Sequence, residues 1–327
     1  MAATGGLRIR RELKRQSTSI AASKRMTRWQ RLRRDKALLF FALPGLAALL
    51  LFHWVPLLGN VIAFQDYQPF LGISGSDWVG FSNFSIIFNG DPAFIHALEN
   101  TLVLTLLQVV FVFPAPIALA LMLNSFAHEW IKRVVQSILY LPHFLSWVIV
   151  VALFQQVLGN AGIMNSALRS HGHDTISIIG NPHLFKVLIT SQVVWKDTGW
   201  GTILFLAALS QIDSVLYEAA DVDGASRARQ LWHITLPGLR SLIVLLGILR
   251  LGDVLTVGFE QIVLQQGPVG PDVSEVLDTY VYNNGILGGN WGVSAAVGLV
   301  KGVVGVALVL GANKLAHLFG EQGVYQK

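Results

Sequence analysis

An all-α integral membrane protein with six transmembrane helices is the fold class this sequence predicts, and three observations predict it. Of its 327 residues, 53% are hydrophobic and only 13% are charged, about half the charged fraction usual in a soluble domain. Six apolar stretches reach the roughly 20 residues that a helix needs to cross about 30 Å of hydrocarbon. Lys and Arg are sparse or missing in every second connecting loop, as a membrane topology requires. Sustained strand alternation is absent. So is cysteine, which excludes disulfides, thiolate metal sites and cysteine nucleophiles.

The first element is a basic arm, residues 1–36. It holds twelve of the 24 Lys and Arg beside only Glu12 and Asp35, so it carries +10 while the rest of the chain carries −5. The formal +5 is therefore no sign of a nucleic-acid partner. An Arg- and Ser-rich arm has the composition of a transit peptide or signal n-region, but an anchor that holds the first span in a positive-inside orientation explains the same charges. The spans are expected at 37–59, 101–123, 134–158, 184–210, 242–264 and 293–319. Pro44, Pro114, Pro116 and Pro142 fall inside them, which a bundle tolerates when neighbours satisfy the freed carbonyls.

With the arm in the cytoplasm, the loop 60–100 lies outside and has no Lys or Arg. The next loop, inside, has Lys132 and Arg133. Outside again, 159–183 has only Arg169, whereas 211–241, inside, has Arg227, Arg229 and Arg240. The segment 265–292 is outside with none, and Lys314 and Lys327 bring the C terminus inside. The expected organisation is thus an arm (1–36), a first helix with its external loop (37–96), a bundle (97–320) and a tail (321–327), both termini being cytoplasmic. No G-x-x-x-x-G-K-[ST] phosphate loop occurs, so energy from a nucleotide would have to come from another chain.

The loop 211–237 reads as two short helices joined at a glycine. Asp213 or Ser214 suits the first N-cap, and Val215, Ala219 and Val222 make one apolar stripe. Gly224 suits the left-handed position that ends a helix, and Ser226 the next N-cap. Ala225, Ala228 and Trp232 give the second helix its own packing face, and Pro237 is expected to start span five. An amphipathic loop tucked under the bundle and a docking protrusion both fit this pattern.

Glu218-Ala219-Ala220, then Gly224, then Ile234-x-Leu236-Pro237, resembles the EAA loop of binding-protein-dependent ABC importer permeases. Phe64-Gln65-Asp66-Tyr67, Trp78-Val79-Gly80-Phe81-Ser82-Asn83-Phe84, Trp195-Lys196-Asp197-Thr198-Gly199-Trp200, Ala207-Ala208-Leu209, Phe259-Glu260-Gln261-Ile262 and Asp278-Thr279-Tyr280-Val281-Tyr282 are similar to the carbohydrate branch of these permeases, often labelled polysaccharide transport permease. The likeness covers the chain from about Lys36 onwards, and the arm lies outside it. The resemblance implies a non-catalytic transmembrane subunit of a type I ABC importer for an oligosaccharide or polysaccharide fragment. It implies as partners a second permease subunit of a different kind, two ATPase subunits that hold the ATP and Mg, and an external solute-binding lipoprotein in a bacterial inner membrane. No cofactor or metal is expected on this chain. Carried over to matching positions, Glu218, Ala219, Ala220, Asp223 and Gly224 would dock the ATPase, with Gly224 at the bend.

Six charges fall within spans: Lys196, Asp197, Arg250, Asp253, Glu260 and Lys301. Each would cost about 2.5–3.5 kcal/mol at a lipid-facing helix centre, so they must face protein or water. Three positive and three negative charges suggest mutual pairing, with Arg250 and Asp253 at i, i+3. Alternatively some line the solute path, for which Phe259, Glu260, Asp253, Trp195, Trp200 and Tyr280 are the candidates, since carboxylates and aromatic faces suit sugars. Trp195, Trp200, Tyr280, Tyr282 and Trp291 also fit an interfacial aromatic belt. Gly298-x-x-x-Gly302 and Gly305 predict close helix packing. His171, His173 and Asp174 are a thin ligand set for a metal. An ion-driven secondary transporter acting through Asp253, Glu260 or Lys301 is the competing function, although no inverted repeat is evident. An intramembrane hydrolase has no nucleophile or metal motif to support it.

Overall fold

The computed structural model describes residues 35–126, 128–318, 320–321 and 323–325. The arm up to Arg34, and Lys327, lie outside the described residues. Contact clustering gives two units, 1–59 and 60–327. The described part of the first is one helix, α1 (Lys36–Leu49), which runs on through a π-turn (Leu50–Trp54) to Val55–Leu58. Its residues from Phe40 to Leu58 are all exposed. A helix apolar on every face and exposed over that length is built for lipid.

The second unit is a helical bundle. A two-residue antiparallel pair, Gln65–Asp66 with Asp77–Trp78, is the whole of its sheet among the described residues. The bundle begins with α2 (Pro92–Leu107), N-capped by Asp91, whose carboxylate accepts from Phe94 N at 2.8 Å. A π-turn (Gln108–Val112) joins α2 to α3 (Pro114–Asn124) in one continuous helix. After α4 (Glu129–Tyr140) comes a tight turn, Leu141–Phe144, and then α5 (Trp147–Leu158) and α6 (Ile163–Ser170). The long α7 (Pro182–Leu209) is followed by α8 (Ser214–Val222), α9 (Arg227–Gln230) and α10 (Leu236–Gly252). Short helices α11 (Phe259–Val263), α12 (Pro271–Ser274) and α13 (Leu277–Val281) precede the last span, α14 (Trp291–Leu318).

Span three is not the single helix 134–158 that hydropathy suggests. Pro142 lacks the N–H and its ring opposes the carbonyl four residues back, so α4 stops at Tyr140 and α5 restarts at Trp147 under a Ser146 cap. Span five differs too. Its helix starts at Arg227, passes through a π-turn (Leu231–Thr235) and ends at Gly252, so Pro237 lies inside a rod and residues 253–264 lie beyond it. Pro56, Pro114 and Pro237 each stand two residues after a π-turn. The extra residue in the turn moves the preceding carbonyl out of the ring's way, and the helix survives.

The bundle packs around α7. One face of it, Phe185, Ile189, Gln192, Lys196, Gly199, Thr202 and Phe205, is buried along its length. Gly199 is where α7 crosses α4: a Cβ there would collide with the Leu139 carbonyl oxygen. Gly201 does the same against the Pro116 ring of α3. On α14 the close approach belongs to Gly305, against the Gly252 carbonyl of α10, and not to Gly298 and Gly302, which have open space around them within this chain.

This contrast is testable. Gly199→Ala should lower stability by about 1–3 kcal/mol, the range for overpacking a filled site, whereas Gly298→Ala should leave it unchanged; thermal unfolding of the purified subunit in detergent compares them.

Candidate functional site

The elbow between α7 and α10 is built from local chemistry. Asp213 accepts from Val215 N at 3.0 Å and starts α8, which leaves α7 at a 72° bend. Gly224, with φ +71°, ends it. Asp223 N and Ala225 N return to the carbonyls of Ala219 and Ala220, at 3.0 and 2.9 Å. Such a left-handed close is open to glycine at least cost. Ser226 then caps α9 through Arg229 N. Gln230 donates to the Asp221 carboxylate across the bend, and the Tyr217 hydroxyl meets Thr235 Oγ1 at 2.9 Å. The elbow is therefore tied to the foot of α10 at two points. Since α9 and α10 belong to one helix from Arg227 to Gly252, a push on the elbow is carried along that rod.

The stripe of Val215, Ala219 and Val222 does not pack under the bundle. All three are exposed, Val222 at 89%, as are Glu218, Asp223, Gly224 and Trp232. Ala220 and Tyr217 form the inner side. The residues singled out from the sequence for docking thus share a protruding surface, with Ala220 half-buried behind it.

The intramembrane charges do not pair among themselves as their balance suggests. Lys196 Nζ donates to the carbonyls of His143 (2.6 Å) and Leu145 (2.7 Å), and lies 3.5 Å from that of Pro142. It also sits 5.5 Å from the centre of the Trp147 ring. Asp197 shares a 2.9 Å hydrogen bond with His143 Nδ1. Arg250 donates to Gln108 Oε1, with Asp253 and Asp197 within electrostatic reach. Lys301 pairs with Asp278, a residue outside the predicted spans. Asp253 and Glu260 are exposed beyond the end of α10 and have no ion pair among the described residues.

No hydrogen bond, ion pair or ring contact joins any two of the six residues proposed for the solute path among the described residues. Tyr280 is only 2% exposed and packs edge-on against Phe94, so it is a core residue. Burial first, then the Asp91 and Glu275 carboxylates, push its phenol up to about 12. Trp195 lies against Phe154 of α5, and Trp200, five residues on, stacks with His143. Five residues turn a helix through about 500°, which leaves the two indoles about 140° apart around α7, so they do not share a face. Phe259 meets Tyr282 edge-on at 5.3 Å, beside Glu260. The loop histidines gain no metal geometry: among the described residues no group of three or more His, Asp or Glu side chains converges, and His171 Nδ1 lies 2.8 Å from the Ala167 carbonyl.

Sequence reasoning missed a polar lock on the irregular segment 253–277. Asn100 donates to the carbonyls of Asp272 (3.0 Å) and Glu275 (2.9 Å), Thr101 accepts from Leu277 N (2.9 Å), Thr105 donates to Val254 O, and Gln108 donates to Val257 O (3.2 Å). Opposite, Gln192 of α7 accepts from Gln261 (2.7 Å) and Gln265 (2.9 Å). The signal was present: positions 100, 101, 105 and 108 form one polar stripe on a helix whose other polar residues are His96 and Glu99 near its start.

Comparison with known proteins gives a consistent outcome. Residues 112–319 match the family described as binding-protein-dependent transport system inner membrane component. The chain is 48% identical, over 89% of its length and 91% of the relative's, to the polygalacturonan/rhamnogalacturonan transport system permease protein YteP of Bacillus subtilis (strain 168). It is 44% identical to protein LplB of the same organism, over 95% of this chain and 98% of that one. A chain of a bacterial alginate ABC transporter, solved in complex with its alginate pentasaccharide-bound periplasmic protein, superposes with a TM-score of 0.82 at 36% identity, over 91% of this chain and 99% of the other.

Lys196 is the side chain on which the intramembrane contacts turn. Lys196→Met should destabilise the subunit by about 1–3 kcal/mol for each carbonyl left without a donor, and Lys196→Arg should lose less; detergent unfolding midpoints measure both.

Proposed function

Because the chain belongs to the binding-protein-dependent transport system inner membrane component family, we infer that it is the permease subunit of an ATP-driven importer for a glycan fragment. It is a multi-pass membrane protein of transport type. The observation that carries the mechanism is the exposed elbow: a doubly capped bend, tied to the foot of α10 and continuous with a helix of 26 residues. ATPase subunits dock on Glu218, Ala219, Ala220, Asp223 and Gly224, and their closure moves α7 and α10 as levers, so that access alternates between the two sides of the membrane. ATP and Mg are held by those subunits, and this chain binds no cofactor.

Two ATPase subunits, a second permease subunit of a different kind and an external solute-binding lipoprotein complete the assembly in this reading, with the chain in a bacterial inner membrane and both termini in the cytoplasm. The glycan class is supported by two of the similar proteins, one named for polygalacturonan/rhamnogalacturonan transport and one from an alginate ABC transporter.

Gly224→Pro cannot adopt the φ of +71° found here, because proline is held near −65°, and Glu218→Lys reverses the charge on the exposed face. In reconstituted vesicles both variants should insert normally yet lose ATPase association, with ATP-driven uptake falling at least about tenfold. Unchanged uptake in both would refute the docking role. Uptake driven by an ion gradient with the ATPase subunits omitted would refute the importer reading and favour a secondary transporter.

A further inference from the structure

The chain beyond α14 folds back on the bundle, on the same side as the elbow. Gly320, with φ +76°, makes the turn, and the N–H groups of Gly320 and Glu321 return to the carbonyls of His317 (3.2 Å) and Ala316 (2.9 Å). The tail then runs back along the helix it has just left. Tyr325 N donates to Asn313 Oδ1 (3.2 Å) and Tyr325 O accepts from Asn313 Nδ2 (3.4 Å), so a buried side-chain amide pairs with the main chain as a neighbouring strand would. His317, one turn further along α14, donates through Nε2 to the same carbonyl at 2.8 Å. Gly323 fits between because it has no side chain: a Cβ there would collide with Asn313 Oδ1.

The tail also reaches a second helix. The Glu321 carboxylate takes Arg240 Nε on one oxygen at 2.8 Å and the Ser241 hydroxyl on the other at 3.0 Å, and its side chain is only 13% exposed. Arg240 and Ser241 lie at the foot of α10, next to the elbow. An isolated surface ion pair fixes little, but here both carboxylate oxygens are engaged and Tyr325 of the same tail is held on α14 by three hydrogen bonds. The two helices touch again where the Gly252 carbonyl lies against Gly305, about 16 Å from Ser241 at the rise of a helix. Attachments that far apart keep one rod from pivoting on the other.

We propose that the C-terminal tail, anchored to α14 at Asn313 and to α10 through Glu321, is a strap that makes these two helices turn as one body when the elbow moves. The proposal rests on the ATPase-docking reading of the elbow and extends its reach to the last span. With the strap cut at Glu321, the tail stays on α14 while the foot of α10 is released. A push on the elbow then swings α10 about Gly252 and leaves α14 behind, so ATP is hydrolysed without the full change of access. Arg240 and Glu321 are positioning residues in this account, and neither touches the ATPase or the solute.

The chain contains no cysteine, so Arg240→Cys combined with Glu321→Cys supplies its sole pair of thiols. In the assembled complex, with cysteines of the other subunits replaced, a short thiol-specific cross-linker should join the two. Before joining, hydrolysis stimulated by loaded binding protein should stay within about twofold of wild type while glycan imported per ATP falls at least about fivefold. Joining should return that ratio to within about twofold of wild type, because a covalent link replaces the lost attachment, and cleaving the linker should undo the recovery. Thiols that do not join overturn the proposal. So does a ratio that is normal before joining, a ratio that stays low after it, or loss of hydrolysis together with import. If the paired variant fails to assemble, Glu321→Gln removes the charge alone: import per ATP lowered at least about twofold supports the strap, and an unchanged ratio overturns it. Wild-type complex without ATP-driven uptake removes the docking reading instead and is measured first, whereas the joining of the thiols does not depend on transport.

Discussion

Inside a bilayer no water stands ready to take up a free carbonyl, so any departure from helix has to find its hydrogen bonds within the protein. This chain departs twice, and each time a few polar side chains on a neighbouring helix make the departure possible. At the α4–α5 break the donor is one lysine, Lys196, whose ammonium meets the carbonyls of His143 and Leu145. At the segment after Gly252 the donors are Asn100, Thr105 and Gln108 of α2 with its π-turn, while Gln261 of the segment itself donates to the Ile189 carbonyl of α7. Without these groups the turn that presents His143 and the irregular segment that shapes the far end of the bundle would both strand buried carbonyls. A charge inside the membrane thus serves the backbone here before it serves any solute.

Proline is handled in more than one way. Where a π-turn precedes it by two residues, as at Pro114 and Pro237, the helix continues. Pro142 has none before it and the helix stops there, whereas Pro44 stays within α1 with none before it. The outcome suits the mechanics: the helix that runs from the elbow to Gly252 stays whole, while the discontinuity falls where α7 can hold it with Gly199 and Lys196 on one face. Arg227 to Gly252 is a single body, and the proline that hydropathy would treat as its starting point is absorbed by a widened turn.

Much of this was legible in the sequence. Composition and span length gave the helical membrane class, and Asp213, Gly224 and Ser226 gave the elbow its caps, because those are local effects of residue type on backbone. What failed was nonlocal. Span five was placed too late because apolarity extends past Asp253, whereas the helix is ended by the turn at Gly252 and Asp253 and by the side chains of α2 that capture the following backbone. The ionic pairs were misassigned because charge balance along the chain says nothing about distance in space: Lys196 chose carbonyls, and Lys301 chose Asp278 from beyond the predicted spans. Tyr280 read as a pathway aromatic and is a core one, packed on Phe94, since hydropathy does not distinguish a buried ring from one that lines a path.

Val215, Leu216, Val222 and Trp232 are exposed on the elbow among the described residues. Apolar side chains left in water beside a protein's charged loops are what housekeeping chaperones and proteases recognise. A copy of this subunit made in excess of its partners would therefore expose the very surface that marks it for removal, and its cellular lifetime becomes a property of assembly and not of the chain's own fold.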